Sequence, residues 1–218
     1  GRRARRSRRI ELGGGPDIMN RVVGYGLWLL AIGFATAAAA APPMSMEDLY
    51  GAMDREALEA EIALGVDGNE RLKRVGIAWH NLAVLEVDDA SERADEVLRR
   101  ARKALPQDPE VLAYLGSAGT MVARDSWNVV TKVSRVNKGV NLIDKAVRMD
   151  PENVAVRMVR ANNSLALPKF FKRRGRALED LRYLHSQADS IPLPAETAAE
   201  VAFKLGELEA TSGDDERA

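Results

Sequence analysis

Gly139, Ile143, Ala146 and Pro151 stand at relative positions 0, 4, 7 and 12 of the stretch running from Gly139 to Asn153. At the helical period the first three share one face: a small residue, a large apolar one, then another small one. Asp150-Pro151 then stops the helix. Small residues at this spacing set how closely a second helix can approach. The spacing recurs upstream at Val97, Ala101, Ala104 and Pro109. Downstream, Leu205-Gly206, Gly213 and Ala218 fall where a first helix, a turn and the opening of a second helix would lie. A chain that repeats one helix-pair pattern is held to an all-α architecture.

This signature resembles the second helix and terminal proline of a tetratricopeptide (TPR) repeat, a helix–turn–helix unit of about 34 residues. Trp79, Leu82 and Ala83 match the family's Trp, Leu and Gly/Ala positions near the middle of its first helix. The resemblance covers residues 69–218 and is to divergent, TPR-like repeat proteins of bacterial envelope type. It implies a right-handed α-solenoid of antiparallel helix pairs, about eight helices in all, with no sheet. It also implies a scaffold for protein or peptide segments, without naming one, because such repeats bind many unrelated partners. Leu98, Ala101, Ile143 and Ala146 are expected to be buried between helices.

Composition narrows the chemistry. With no cysteine in 218 residues, disulfides, thiolate chemistry and Cys-ligated zinc are excluded. The two histidines, His80 and His185, fall in separate repeats and lack partners at ligand spacing, so no metal or other cofactor is expected. No nucleophile–base order or Gly-rich phosphate loop appears, and the chain reads as a non-enzyme. The formal charge is zero, 32 basic against 32 acidic residues, but seven arginines and only two acids precede the apolar stretch after Arg21. The remainder holds 25 basic and 30 acidic residues, net about −5, a poor nucleic-acid binder.

Residues 22–36 are uncharged and apolar, and pass into Ala37–Ala41 and Pro42-Pro43. A basic start, an apolar middle and an Ala-x-Ala end describe a signal peptide over 19–41, exporting the chain to the periplasm or beyond. The alternative is an uncleaved inner-membrane anchor, since 22–41 is just long enough to span a bilayer. Residues 1–18 fit neither reading. They are expected to be an untranslated upstream stretch, with translation starting at Met19, or an extension of the basic n-region. Finding residues 1–18 in the native precursor by mass would refute the first option.

Ser45-Met-Glu-Asp48 has capping-box character, and 44–68 reads as two capping helices ahead of the repeats. Repeats then follow at Glu70–Val87 with Ser91–Leu105, at Pro109–Arg124 with Asn137–Met149, and at Glu152–Leu167 with Gly175–Gln187. A fourth begins near Ala195 and is expected to be incomplete, leaving the apolar face of 195–211 open to self-association. The interval from Pro109 to Pro151 is 42 residues, about eight beyond the family period. The excess is assigned to an expanded connection over 125–136, and a second stretched connection covers 168–174, where Pro168 ends a helix.

Two candidate surfaces result. Arg157, Arg160 and Asn163 lie at i, i+3 and i+6 on a first helix, the kind that lines the groove in TPR proteins, where they would grip a peptide. The competing role for these arginines is ion pairing with Asp125, Asp144 or Asp150. The second surface joins the two stretched connections along one edge. The first brings Trp127, Lys132 and Arg135; the second brings Lys169, Phe170, Phe171, Lys172, Arg173 and Arg174. Aromatics among cations suit an acidic protein segment or an anionic membrane surface. Alternatively the rings fold inward as a satellite core. The function expected is an exported adaptor; the alternatives are a constitutive subunit of a larger envelope complex and, more distantly, an enzyme or small-ligand receptor.

Overall fold

The structure, a computed structural model, describes residues 42–125, 129–188, 190 and 193–215. The expected signal peptide or anchor at 19–41, the stretch 1–18, Trp127 and Ala218 lie outside the described residues. Among the described residues all regular structure is helical: nine α-helices and one 3-10 turn.

Local chemistry explains most boundaries. The Ser45 hydroxyl accepts from the Asp48 N–H to open α1 (Met46–Gly51), and Asp54 caps α2 (Arg55–Ala63) in the same way. Gly65 and Gly68 take φ of +80° and +90°, turning the chain into α3 (Asn69–Val84). After α4 (Ala90–Ala104), Asp108 Oδ1 accepts from the N–H groups of Glu110 and Val111, and Pro109 takes the first position of α5 (Pro109–Asp125). Then come α6 (Val129–Met149) and α7 (Val154–Ala166), the latter capped by Asn153. Leu167, extended ahead of Pro168, ends α7. The 3-10 turn η1 (Lys169–Phe171), α8 (Arg174–Gln187) and α9 (Ala195–Asp215) complete the described chain.

From α3 onward each helix packs on the next, while α3 also touches α5, and α5 touches α7. The tightest crossing is between α5 and α6. A Cβ built on Gly139 would lie 2.5 Å from the Gly116 carbonyl oxygen, and one on Gly116 would lie 2.6 Å from the Gly139 oxygen. Leu98, Ala101, Ile143 and Ala146 are all buried, as their spacing requires. The main core joins α1 through α7, and Ala161, Leu181, Leu184, Val201 and Leu205 form a second core among α7, α8 and α9.

Three expectations need correction. Residues 129–136 are not a connection: they form the first turns of α6, so the extra length lies in long helices of 17 and 21 residues. Val129, Val130, Thr131, Val133 and Val136 are indifferent helix formers. Burial of Val136 and Val140 against Ala123 and Phe171 overrides that preference. Gly213 is not a turn, because α9 continues through it to Asp215. The apolar residues Val201, Leu205 and Leu208 on α9 are not left open either: α8 covers them, and Phe203 is the large apolar residue that stays exposed there.

Candidate functional site

The packing of odd-numbered helices side by side leaves a groove of about 1310 Å³. Its walls come from α1 (Met46, Tyr50), α3 (Val84), α5 (Tyr114, Met121), α7 (Met158, Asn162), η1 (Phe170) and α9 (Thr197, Lys204). Its apolar part includes four methionines and four Tyr or Phe rings, side chains able to adapt to varied apolar groups.

A polar row crosses this apolar lining. Asn81 Nδ2 donates to the Leu49 carbonyl, which turns its Oδ1 toward His80 Nδ1 at 3.1 Å. His80 Nδ1 therefore carries the proton, and Nε2 accepts from the Ser117 hydroxyl at 2.9 Å. The Tyr114 ring meets the imidazole edge-on at 4.8 Å. The row continues as Thr120 donates to the Ser117 carbonyl and Asn163 Nδ2 donates to Thr120 Oγ1. Asn163 Oδ1 is buried without a hydrogen-bond partner. Along another edge Tyr50 donates to Glu110, whose carboxylate also pairs with Lys73 and accepts from Asn153 Nδ2 at 3.0 Å.

Burial pushes the His80 imidazole down from the ordinary 6.5 to about 4, its Asn81 hydrogen bond opposing this only weakly. The unfolded chain therefore binds a proton between these values that the folded chain refuses, and folded stability falls as pH drops through that window. The expected loss from pH 7 to pH 4 is about 3 kcal/mol from this group. Urea unfolding at a series of pH values checks it: His80→Gln should flatten the slope above pH 5, and an unchanged slope would refute the assignment.

The residues expected to bind a partner separate into groups. Asn163, Lys132, Phe170 and Phe171 line the groove. Arg157 and Arg160 do not. Asp180, fully buried on α8, sits between them: Arg157 Nη1 donates to its Oδ1 at 2.8 Å, and Arg160 Nε to its Oδ2 at 2.6 Å. Arg157 also stacks on the Tyr183 ring at 3.7 Å, and Arg160 donates to Glu179. Burial, the largest single influence, would lower the pKa of the Arg160 guanidinium; the hydrogen bonds and charges of Asp180 and Glu179 together outweigh it and raise the pKa above its ordinary value. Ion pairing is thus the arginines' role, but with Asp180 as chief partner; Asp144 lies 3.8 Å from Arg160. The spacing Ala177, Asp180, Leu181, Leu184 already put that aspartate on the buried face of α8.

The cationic edge divides too. Phe171 packs on Val136 and Val140 in the small core, whereas Phe170 is 68% exposed beside it. Arg173 forms a two-pronged pair with Asp144 at 2.8 and 2.6 Å, and Arg174 donates to the Leu208 carbonyl and Thr211 of α9. Reversing the charge of these two arginines would therefore damage the fold. Arg135, Lys169 and Lys172 are exposed.

No family model, curated protein or solved structure matches this chain. Among the described residues no group of three or more His, Asp or Glu side chains is placed to hold a metal, and no helix is long and apolar enough to cross a membrane. What sequence reasoning missed is the row His80, Ser117, Thr120 and Asn163, whose members lie up to 83 positions apart. Ser117 and Thr120, an i, i+3 polar pair inside the apolar run of α5, are its one sequence signal.

Proposed function

We propose that this protein is a TPR-like, right-handed α-solenoid that serves as a binding scaffold, holding an extended segment of another protein in its groove. The observation that carries this reading is the groove itself: a continuous apolar channel crossed by a polar row that ends on an unpartnered buried acceptor, Asn163 Oδ1. An extended peptide supplies apolar side chains to match this lining and backbone N–H donors to match its polar row. The succession of packed helices with α3, α5 and α7 along one groove supports the solenoid reading, as does the Gly116–Gly139 crossing. Export by the 19–41 segment, with the cell envelope as site of action, completes the proposal.

Selection of displayed random peptides on the full chain tests it. Ala166 and Val84 both line the groove and are exposed, so Ala166→Trp and Val84→Trp fill it without disturbing the core. Selected peptides should bind the parent and lose about tenfold or more in affinity to either variant. Arg100→Trp, at an exposed position on α4, should bind as the parent does. Failure to select any peptide, or equal binding by the filled variants, would remove the groove as a peptide site.

A further inference from the structure

Two stretches of this otherwise acidic body carry cations without acids. Residues 129–143 hold Lys132, Arg135 and Lys138, and residues 168–178 hold Lys169, Lys172, Arg173, Arg174 and Arg176. The fold brings them together, because Phe171 packs on Val136 and Val140 of α6. Some of these cations are engaged internally: Arg173 by Asp144, Arg174 by α9, and Arg176 by Glu179 at 2.8 Å. Lys132, Arg135, Lys138, Lys169 and Lys172 have no carboxylate partner among the described residues. Lys132 and the exposed Phe170 both stand in the groove wall, so this charge lies at the groove's own margin.

We infer that the segment this groove accepts is acidic, with carboxylates meeting Lys132, Arg135 and Lys169 and an apolar or aromatic side chain beside Phe170. The inference rests on the peptide-binding reading above and adds the ligand's charge and where it sits. Unpaired cations around a concave, partly apolar wall offer an acidic peptide both charge neutralisation and a dry surface. A bilayer reaches only convex or flat faces, and Lys132 and Phe170 belong to a concavity; a peptide is therefore favoured over a lipid surface.

The test uses the full chain and a fluorescein-labelled peptide alternating Glu with Phe and Leu, beside Gln-for-Glu and Lys-for-Glu counterparts. The Glu peptide should bind more tightly than the Gln peptide by about tenfold, lose affinity as salt rises, and exceed the Lys peptide by more. The variant Lys132→Glu/Arg135→Glu/Lys169→Glu changes only cations without internal partners. It should keep the parent's melting temperature and lose the preference for Glu over Gln. Equal binding of Glu and Gln peptides, each blocked by Ala166→Trp, would overturn the acidic ligand while leaving the groove reading intact. Cosedimentation with phosphatidylglycerol vesicles, abolished by the triple reversal while no Glu peptide binds, would overturn it in favour of a membrane surface. If the Glu peptide binds equally to parent and reversed variant, the charge at this corner plays no part and the inference fails.

Discussion

Asp180→Ala should lower the unfolding free energy by about 3–5 kcal/mol. Asp180 is fully buried and holds two arginines that are themselves less than a tenth exposed. Removing its carboxylate leaves both guanidinium groups in a poorly solvated interface with only part of their hydrogen bonding. Arg160 keeps Glu179, which is 47% exposed and cannot replace a carboxylate lying between the two arginines. Arg157 keeps the Pro151 carbonyl and the Tyr183 face, neither of which carries a countercharge. Because the network fastens α8 to α7, the loss should appear as lower cooperativity at the α7–α9 end as well as a lower urea midpoint. Glu179→Ala, at the exposed margin of the same network, should cost under about 1 kcal/mol. Combining Asp180→Ala with Arg157→Met and Arg160→Met should recover much of the loss, since an apolar replacement of the whole cluster has no stranded charge. A loss near 1 kcal/mol for Asp180→Ala would show that water reaches the pair and that the network is not the lock described.

Gly139→Ala should destabilise by about 2–3 kcal/mol, although alanine is the better helix former by about 1 kcal/mol. The new methyl would sit 2.5 Å from the Gly116 carbonyl oxygen and 2.6 Å from Thr120 Cγ2. The first of these is backbone, so the helices must separate and loosen the packing around Ile143. Gly116→Ala meets the reciprocal contact and Ile143 Cγ1 at 2.7 Å, and should behave alike. Gly119 supplies the control on the same helix: a Cβ there meets nothing within 4 Å. Gly119→Ala should therefore be neutral or stabilising by up to about 1 kcal/mol. Thermal and urea melts followed by helical circular dichroism separate the three. If Gly139→Ala proved as benign as Gly119→Ala, the close crossing of α5 and α6 would be refuted. Ala146, fully buried about two helical turns further along α6, should tolerate no large charged replacement for the same reason.

Helix positions were legible wherever local chemistry sets them. Ser45, Asp54, Asn153, Pro109 and Pro168 act on neighbours within four residues, so a reader of the sequence can see both cause and effect. The reading of 125–136 failed because β-branched residues are judged there by intrinsic preference. Their actual conformation is decided by Ala123 and Phe171, the latter 35 positions beyond Val136. Phe170 and Phe171 are adjacent and chemically identical, and no local rule could say which ring packs on the small core and which stays exposed.

By itself, then, the sequence determined that the chain is helical, where most of its helices begin, and that Gly139, Ile143 and Ala146 face a neighbour; repeating positions at helical spacing leave no other way to bury those residues. Only the tertiary structure decided what faces what. Arg157 and Arg160 turn to Asp180 and not to the groove, Arg173 turns to Asp144, and His80, Ser117, Thr120 and Asn163 meet in one row. These choices depend on charges and donors brought together from 20 to 43 positions apart. A buried charge or polar group must find its partner wherever the packed helices happen to present one, and spacing along a single helix carries no record of that.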